Sequence, residues 1–409
     1  MQITLAPTFA GTPEGDEAAA IIRRCVHCGF CLASCPTYRV TGNELDSPRG
    51  RIYLVKQMLE SGAAGPDTQY HLDRCLGCRA CETTCPSGVE YHRLADIGRH
   101  WLESRVTRAT ADSFRRRMLL RLLRNGRLFS LATMAGRLAR PFVPALVASI
   151  PSRGNTWRPN WATAERWLVL EGCVQPALAP SINAAAARIL GACGVGLTPI
   201  GGCCGAVSWH MGETEAALDD IRRLVDLCME QLAQGARGIV YTATGCGATV
   251  AEFGKLLAHD PAYAERAAHV SAKAVDIATL INDKLEQLLP MFAPPSDPRL
   301  AFQVPCSLQH GLRQWPALES LLTRLGYLLL PVQDADQCCG SAGTYSILQP
   351  QIARQLRDEK LKHLMAGQPP VIATANIGCL SHLRTGASVP VRHWIELLAE
   401  RLAPQQAAG

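Results

Sequence analysis

Eight cysteines of this chain share a spacing that could bind a redox-active metal cofactor. They form two blocks that each read C-x2-C-x2-C-x3-C-P: Cys25, Cys28, Cys31 and Cys35, then Cys75, Cys78, Cys81 and Cys85. In such a run, three thiolates bind one cubane iron–sulfur cluster, and the fourth, which precedes a proline, binds the neighbouring cluster. The blocks therefore predict two [4Fe-4S] clusters and a protein that transfers electrons.

The crossed pattern assigns four thiolates to each cluster. The ligands expected for the first cluster are Cys25, Cys28, Cys31 and Cys85. Those expected for the second cluster are Cys75, Cys78, Cys81 and Cys35. Two structural zinc sites are the alternative, but zinc sites usually space their cysteines as two separated pairs. The repeated run therefore favours clusters.

The composition is typical of a globular protein of two or three domains. Of the 409 residues, 48% are hydrophobic and 19% are charged, as in ordinary globular chains. No stretch reaches 18 consecutive apolar residues, and residues 1–16 lack the basic and apolar regions of a signal peptide. The 18 cysteines are therefore expected to be reduced and mostly metal-bound in the cytoplasm.

One short stretch carries most of the positive charge. Residues 105–140 contain ten arginines and a single acid, Asp112. Phe114, Met118 and Leu122 recur there every fourth residue, which predicts an amphipathic basic helix. The helix is expected to end at residues 125–126, and Pro141, Pro144 and Pro151 then predict a linker.

Three interpretations of the basic helix stay open. It could lie on an anionic membrane surface, dock an acidic partner, or pack its apolar stripe against its own domain. No helix-turn-helix and no aromatic stacking pattern accompanies the arginines, so nucleic-acid binding is not expected.

A second cysteine pattern is duplicated in the rest of the chain. Each copy has one cysteine, a Cys-Cys-Gly triplet and a Gly-Cys pair: Cys173, Cys203, Cys204 and Cys246, then Cys306, Cys338, Cys339 and Cys379. Corresponding cysteines are 133 or 135 residues apart, which indicates an internal repeat. Each set offers enough thiolates for a cluster or a tetrahedral metal ion, although a copy that has lost its metal is an alternative.

Apolar runs and helical patterns alternate around these cysteines. The predicted strand-like runs are 167–170, 238–246, 301–304 and 371–379. The predicted helices are 181–192, 275–281, 315–325 and 393–398. This alternation implies parallel sheets covered on both faces, with the cysteines at the carboxyl ends of strands.

The whole chain is therefore expected to be an α+β protein of several domains. Residues 1–104 form an α-helical domain with both cluster sites, in which a helix follows Pro48. A basic helical linker, 105–160, leads to a first α/β domain at 161–290. A second, homologous domain follows at 291–409.

These motifs together resemble a known family. The helix between the first two blocks resembles that of the α-helical ferredoxin domains in succinate dehydrogenase and fumarate reductase iron–sulfur subunits. The chain as a whole resembles the CCG-domain iron–sulfur subunits of glycolate oxidase, lactate utilisation, anaerobic glycerol-3-phosphate dehydrogenase and heterodisulfide reductase. Residues 28–38, 46–53 and 203–210 look most like the glycolate oxidase group.

The resemblance implies the electron-transfer subunit of a membrane-associated glycolate dehydrogenase complex, at the cytoplasmic face of the inner membrane. An FAD-containing partner would oxidise glycolate, with D-lactate as a further candidate substrate, and a quinone or similar acceptor would take the electrons. No nucleotide-binding glycine motif occurs in this chain, so FAD is expected only in the partner, and the chain is not expected to act on glycolate alone. An iron–sulfur subunit of lactate or glycerol-3-phosphate dehydrogenase is the alternative.

One departure from the family pattern argues against a disulfide reductase. In the heterodisulfide reductases each CCG unit ends in C-x2-C, which supplies a fifth thiolate. Here the residues three positions from Cys246 and Cys379 are Ala243, Thr249, Asn376 and His382. Each unit therefore keeps four thiolates, and His382 is expected to be structural rather than a ligand.

A few other residues could act near the clusters. Arg49 and Arg51 could raise a reduction potential or could simply be exposed. His210 could handle protons, although a structural role is the stronger expectation. The remaining cysteines, Cys193 and Cys228, are expected to be small buried apolar residues.

Overall fold

The computed structural model of this protein describes residues 1–139, 157 and 165–403. Within these ranges the chain is an α+β protein of several domains. The prolines expected to form the linker lie outside the described residues.

The N-terminal domain is entirely helical. Its helices are α1 (Pro13–Arg24), α2 (Phe30–Ala33), α3 (Pro36–Thr41), α4 (Pro48–Ser61), α5 (Pro66–Asp73), α6 (Ala80–Thr83) and α7 (Tyr91–Arg105). The predicted helix after Pro48 is confirmed as α4. The Ser47 side chain accepts a hydrogen bond from the Gly50 amide at its start, and Gly62 ends it with a left-handed backbone.

Two helices, rather than the expected one, occupy the basic segment. Helix α8 (Thr110–Arg124) contains the predicted apolar repeat, and Asn125 ends it as expected. A second helix, α9 (Gly126–Ala139), then begins at once. The turn signal at residues 125–126 marks a bend between two helices and not the end of helical structure.

Each of the two following domains contains a four-stranded parallel sheet. The first has strands β1 (Glu165–Gly172), β2 (Val195–Gly201), β3 (Ile239–Tyr241) and β4 (Ala274–Asp276) in the order β2-β1-β3-β4. The second has β5 (Arg299–Gln303), β6 (Leu328–Leu329), β7 (Ile372–Thr374) and β8 (Val391–His393) in the order β6-β5-β7-β8. The identical orders match the internal repeat in the cysteine spacing.

Helices connect these strands. In the first unit they are α10 (Gln175–Leu178), α11 (Ser181–Ala192), α12 (Ala206–His210), α13 (Thr214–Ala233), α14 (Thr244–Val250), α15 (Phe253–Leu256), α16 (Ala264–Lys273), α17 (Ile277–Asp283) and α18 (Leu285–Leu288). In the second they are α19 (Trp315–Arg324), α20 (Tyr345–Leu348), α21 (Pro350–Met365), α22 (Ile377–Arg384) and α23 (Trp394–Glu400). Short 3-10 turns occur at Glu44–Asp46 and Leu289–Met291, and a π-helical turn occurs at Ser307–Gly311.

Each unit was predicted to end in a helix, beginning at residue 275 or 393. The helices are present, but the predicted first residues are wrong. Val275 belongs to strand β4 and His393 to strand β8, and the helices begin one or two residues later. Each of these strands has only three residues, too few to display a period of two.

The two α/β domains share one hydrophobic core. Ile182 and Leu190 of the first domain belong to the same buried cluster as Leu321 and Trp394 of the second. At the carboxyl ends of the central strands, the Gly245 amide donates to the Asn376 Oδ1 at 3.1 Å. The two domains are therefore packed against each other beside their cysteines.

The helical domain contacts both α/β domains. Arg39 of α3 forms an ion pair of 2.9 Å with Asp334 of the second domain. Trp209 of the first domain donates through its indole Nε1 to Asp96 of α7 at 2.7 Å. In the described part of the chain, no helix is long and apolar enough to cross a membrane.

Candidate metal centres

Both cysteine blocks fold into the same loop. The residues before and after the second cysteine of each block have positive φ: 60° for His27, 87° for Gly29, 63° for Gly77 and 66° for Arg79. These left-handed residues curl the chain, and helix α2 or α6 then carries the third cysteine. The arrangement brings three thiols of one block toward a single point.

The first predicted ligand set lines one small cavity. Cys25, Cys28 and Cys31 of the first loop border it together with Cys85 of the second block. Cys28 is exposed, whereas each of the other 17 cysteines is at least partly buried. The crossed placement is the one that the sequence predicted, and ligation of a cluster by these thiols remains a prediction.

The second predicted set lines a larger cavity of about 270 Å³. Cys75, Cys78 and Cys81 border it with Cys35 of the first block. Cys81 borders both cavities, as does Tyr91. The two sites therefore share a wall, as two neighbouring clusters would require.

The larger cavity also contains the thiols of the second CCG unit. Cys306, Cys338, Cys339 and Cys379 form part of its wall. Burial, followed by the charge of Cys306, raises the pKa of Cys78 well above its ordinary value. The second CCG unit and the second block therefore face each other across one cavity, which sequence reasoning did not predict.

The first CCG set lies elsewhere. This set consists of Cys173, Cys203, Cys204 and Cys246, and hydrogen bonding to Cys203, followed by burial, raises the pKa of Cys173 well above its ordinary value. None of these four lines either cavity described above. A Cβ atom built on Gly126, at the start of α9, would lie 3.2 Å from the Cys173 carbonyl oxygen, so this helix packs over the set. The two CCG sites thus differ in their surroundings despite their shared topology.

Among the described residues, no three cysteine thiols have sulfur atoms within 4.8 Å of one another. Zinc–sulfur bonds of about 2.3 Å would place four thiolates within about 3.8 Å of one another. In the described part of the chain, the only group of three potential ligands with atoms within 4.8 Å of one another is Asp334, Glu359 and His363. The thiols are therefore not gathered as tightly as the ligands of one zinc ion, and an all-thiolate donor set suits iron–sulfur clusters.

Two buried arginines flank the second site. Arg51 is 1% exposed and donates to the His71 carbonyl oxygen at 2.7 Å and to Thr37 Oγ1 at 3.1 Å. Arg99 donates to the Cys75 carbonyl oxygen at 2.7 Å. Although burial acts to raise it, the pKa of Cys75 is lowered because of the charges of Arg51 and Arg99. These two guanidinium charges therefore favour the thiolate form of Cys75.

The first site lacks such buried cations among the residues that line its cavity. Arg49 borders it, but the Arg49 Nε is 2.7 Å from Glu44, which offsets its charge. Burial raises the pKa of Cys31 to about 11. Of the two arginines considered from the sequence, only Arg51 is buried.

His210 lies in the wall of the larger cavity. Arg99 donates to its Nδ1 at 3.2 Å, so the ring proton is on Nε2. Burial, together with the charges of Arg99 and Arg116, lowers the pKa of His210 to about 3. A Cβ atom on Gly77 would lie 3.3 Å from the ring, so His210 connects the first CCG unit to the second cysteine loop as a neutral side chain.

The structure also shows the surroundings of His382, Cys193 and Cys228, which were considered from the sequence. His382 donates through its Nε2 to the Ala353 carbonyl oxygen at 3.1 Å, as a structural histidine would. Cys228 is fully buried, whereas Cys193 is only partly buried at the end of α11. Arg99 and Tyr91 line the second cavity but were not predicted, because no motif in the sequence marks them.

Family models match the segments that carry these sites. The model described as 4Fe-4S dicluster domain matches residues 21–89, and the model described as Cysteine-rich domain matches residues 167–251 and 300–384. The chain is 45% identical over 407 residues to the glycolate oxidase iron-sulfur subunit of Escherichia coli (strain K12). The aligned residues cover 98% of this chain and 99% of that protein. The chain belongs to the family of glycolate oxidase iron–sulfur subunits.

Two other relatives are less similar to this chain. The probable glycolate oxidase iron-sulfur subunit of Bacillus subtilis (strain 168) is 32% identical over 92% of this chain and 93% of its own length. Lactate utilization protein A of Shouchella clausii (strain KSM-K16) is 26% identical over 48% of this chain and 82% of its own length. As a member of this family, the chain is an iron–sulfur protein with one dicluster domain and two cysteine-rich domains.

Proposed function

We propose that this chain is the electron-transfer subunit of a glycolate dehydrogenase complex. An FAD-containing partner subunit removes two electrons and two protons from glycolate to give glyoxylate, and a quinone or similar acceptor takes them up. The full-length similarity to the Escherichia coli subunit supports the substrate class. The observation that carries the electron-transfer role is the pair of thiol-lined cavities that share Cys81 and Tyr91.

The proposed ligands are those predicted from the sequence. The first site consists of Cys25, Cys28, Cys31 and Cys85, and the second of Cys75, Cys78, Cys81 and Cys35. When bound, [4Fe-4S] clusters supply reversible one-electron transfer. The protein holds the two sites side by side, shields the second from water, and places Arg51 and Arg99 next to the second.

The CCG thiols are proposed as further metal sites. Cys306, Cys338, Cys339 and Cys379 face the second cluster site, which supports a role in the same electron path. Cys173, Cys203, Cys204 and Cys246 form a separate site.

We further propose that the complex contacts the cytoplasmic face of the inner membrane through α8 and α9. The apolar side chains of these helices that are more than half exposed are Phe114, Met118, Leu131, Met134 and Leu138. Their exposure argues against the interpretation in which the stripe packs on its own domain. Arg117, Arg121 and Arg127 are exposed and make no ion pair in the part of the chain that the structure describes.

A lactate-oxidising complex is the second candidate, because lactate utilization proteins match about half of the chain. Kinetics of the purified complex on glycolate and D-lactate separate the two. A higher kcat/KM on D-lactate would overturn the glycolate assignment.

The function is tested by purifying the native complex and replacing Cys78 by Ser. Glycolate should still reduce the partner's FAD, whereas reduction of a quinone should be lost, because one ligand of the second site is missing. Cys228→Ser, which changes a buried cysteine outside all four sets, is the matched control and should leave both activities intact. Recovery of the chain without any flavoprotein would overturn the proposal.

A further inference from the structure

The two cysteine loops have the same backbone but opposite surroundings. In the second block, Leu76 follows the first cysteine and Ala80 precedes the third, and they are 5% and 3% exposed. The residues at the same positions of the first block are Val26 and Phe30, which are 68% and 62% exposed. The loop of the second block is therefore covered, whereas the loop of the first block faces solvent.

The second CCG domain covers the second loop. Leu76 belongs to a small buried cluster with Tyr345 and Leu356 of that domain, and this cluster also includes Cys338. The contact places the CCG thiols at the cavity that contains Cys78. An apolar contact at this loop position thus joins two thiol sites within the chain.

The first loop has apolar residues at the same positions, and no domain in the described part of the chain covers them. Val26 and Phe30 flank Cys28, the only exposed cysteine of the 18. Burying a large apolar side chain removes its surface from water and favours association. Neighbouring exposed apolar side chains mark interaction surfaces, and aromatic residues are enriched at the centres of interfaces.

We infer that residues 26–30 are the surface on which the FAD-containing partner subunit docks. This inference rests on the proposed function and adds the location of the contact. A partner on this surface lies beside the first thiol site, whereas the second site is enclosed by the chain itself. Arg23 is exposed at the end of α1 and has no acidic partner among the described residues. A partner surface with an apolar hollow and an acidic group at its edge would therefore complement residues 26–30.

Hydrogen–deuterium exchange tests the surface without any substitution. The probe is the FAD-containing subunit that copurifies with the chain, separated and added back to the anaerobic iron–sulfur protein. Amides of residues 26–33 should exchange more slowly in the complex than in the free chain. Unchanged exchange there, together with protection at another surface, overturns the inference.

Two substitutions test the energetics. Val26→Glu and Phe30→Glu should each weaken binding of the FAD-containing subunit by about tenfold or more, since each places a charge in an apolar contact. Phe30→Leu should bind nearly as well as the wild type. Leu328→Glu, at an exposed leucine of β6, is the matched control and should not change the affinity.

Electron paramagnetic resonance after dithionite reduction checks that the variants keep their clusters. If Val26→Glu and Phe30→Glu keep the wild-type signal and bind the partner normally, the surface is wrong while the proposed function stands. If the wild-type chain binds no flavoprotein, the proposed function itself fails. A dimer of this chain that Val26→Glu dissociates would assign the surface to a second copy and overturn the inference.

Discussion

Arg51 is the side chain that most clearly distinguishes the two cluster sites. It is buried at the second site, where it lies 3.5 Å from the buried carboxylate of Asp46. Asp46 also pairs with Arg74 at 3.0 Å, so this buried group carries more positive than negative charge. Buried positive charge near thiolates favours the more negative, reduced state of a cluster. We therefore expect the second site to have the higher reduction potential.

Replacing Arg51 by Met tests this expectation. The variant should be about 3–5 kcal/mol less stable, because it removes one partner of a buried ion pair. The reduction potential of one cluster should fall, because a buried positive charge is lost near its thiolates. A redox titration followed by electron paramagnetic resonance measures the potential, and anaerobic unfolding measures the stability.

Arg49→Met is the matched control for this prediction. Arg49 is partly exposed and paired with Glu44, so its loss should cost at most about 1 kcal/mol. Arg51→Lys should have a reduction potential close to that of the wild type, because the positive charge remains. Potentials that are the same in Arg51→Met and the wild type would contradict the electrostatic argument.

The thiols were predictable from the sequence and their neighbours were not. Spacing within a block fixes which cysteines can converge, and the four thiols of each predicted set of the dicluster domain line one cavity. Arg99 and His210 reach the second site from α7 and α12, whose packing no local pattern reveals. No local pattern reveals the position of the second CCG unit either, because its first cysteine, Cys306, is 228 residues from Cys78 along the chain.

At the scale of elements, the helices and the central strands followed from hydrophobic patterning. The predicted helix 181–192 is α11, and β1 and β5 contain most of the runs predicted at 167–170 and 301–304. The runs predicted at 238–246 and 371–379 are strand only at Ile239–Tyr241 and Ile372–Thr374, and their cysteines lie in the helices that follow, α14 and α22. Strand β6 has only two residues, and its pairing with β5 depends on the rest of the sheet. Such short strands depend on tertiary contacts, and a sequence pattern cannot reveal them.

Helix α9 presents its apolar residues to solvent. Leu131, Met134 and Leu138 lie at helical spacing on one face, and each is more than half exposed. Arg127 lies one turn before Leu131 on this exposed side of the helix. An anionic bilayer surface would bury the apolar residues and attract the arginines, each of which contributes about 1 kcal/mol.

Replacing Leu131 and Leu138 together by Glu should weaken binding to anionic vesicles by about tenfold or more, because both apolar contacts are lost and two negative charges are added. Cosedimentation with vesicles of phosphatidylglycerol and phosphatidylcholine measures the effect. Leu227→Glu, at an exposed leucine of α13, is the control and should bind like the wild type. Wild-type protein that ignores anionic vesicles would contradict the membrane proposal.

At the scale of the whole molecule, a partly buried charged network joins the helical domain to the first CCG domain. Arg79 donates to Glu252 at 2.7 Å, and His92 lies 2.7 Å from Glu82 and 3.5 Å from Glu252. Although burial acts to lower it, the pKa of His92 is raised to about 9 by Glu252 and Glu82. Although burial acts to raise it, the pKa of Glu252 is lowered to about 2 by His92 and Arg79. The domain contact is therefore sensitive to pH.

The direction of this dependence follows from the two shifts. Protonated His92 is favoured in the folded protein, so its contribution, on the order of 3 kcal/mol, is complete below its ordinary pKa of 6.5 and is lost as the pH rises through about 9. Ionised Glu252 contributes above its ordinary pKa of 4.5, and this contribution is lost as the pH falls through about 2. Between about pH 4.5 and pH 6.5, where both contributions are complete, the contact between the two domains should be most stable.

His92→Gln should therefore flatten the alkaline side of the stability profile. The midpoint of thermal unfolding of the anaerobic iron–sulfur protein, measured between about pH 6 and pH 10, should fall less in the variant than in the wild type. At about pH 6 the variant should be the less stable protein, and at about pH 10 the difference should nearly vanish. His259→Gln, at an exposed histidine, should reproduce the wild-type profile. A His92→Gln profile parallel to that of the wild type would show that this network does not control the domain contact.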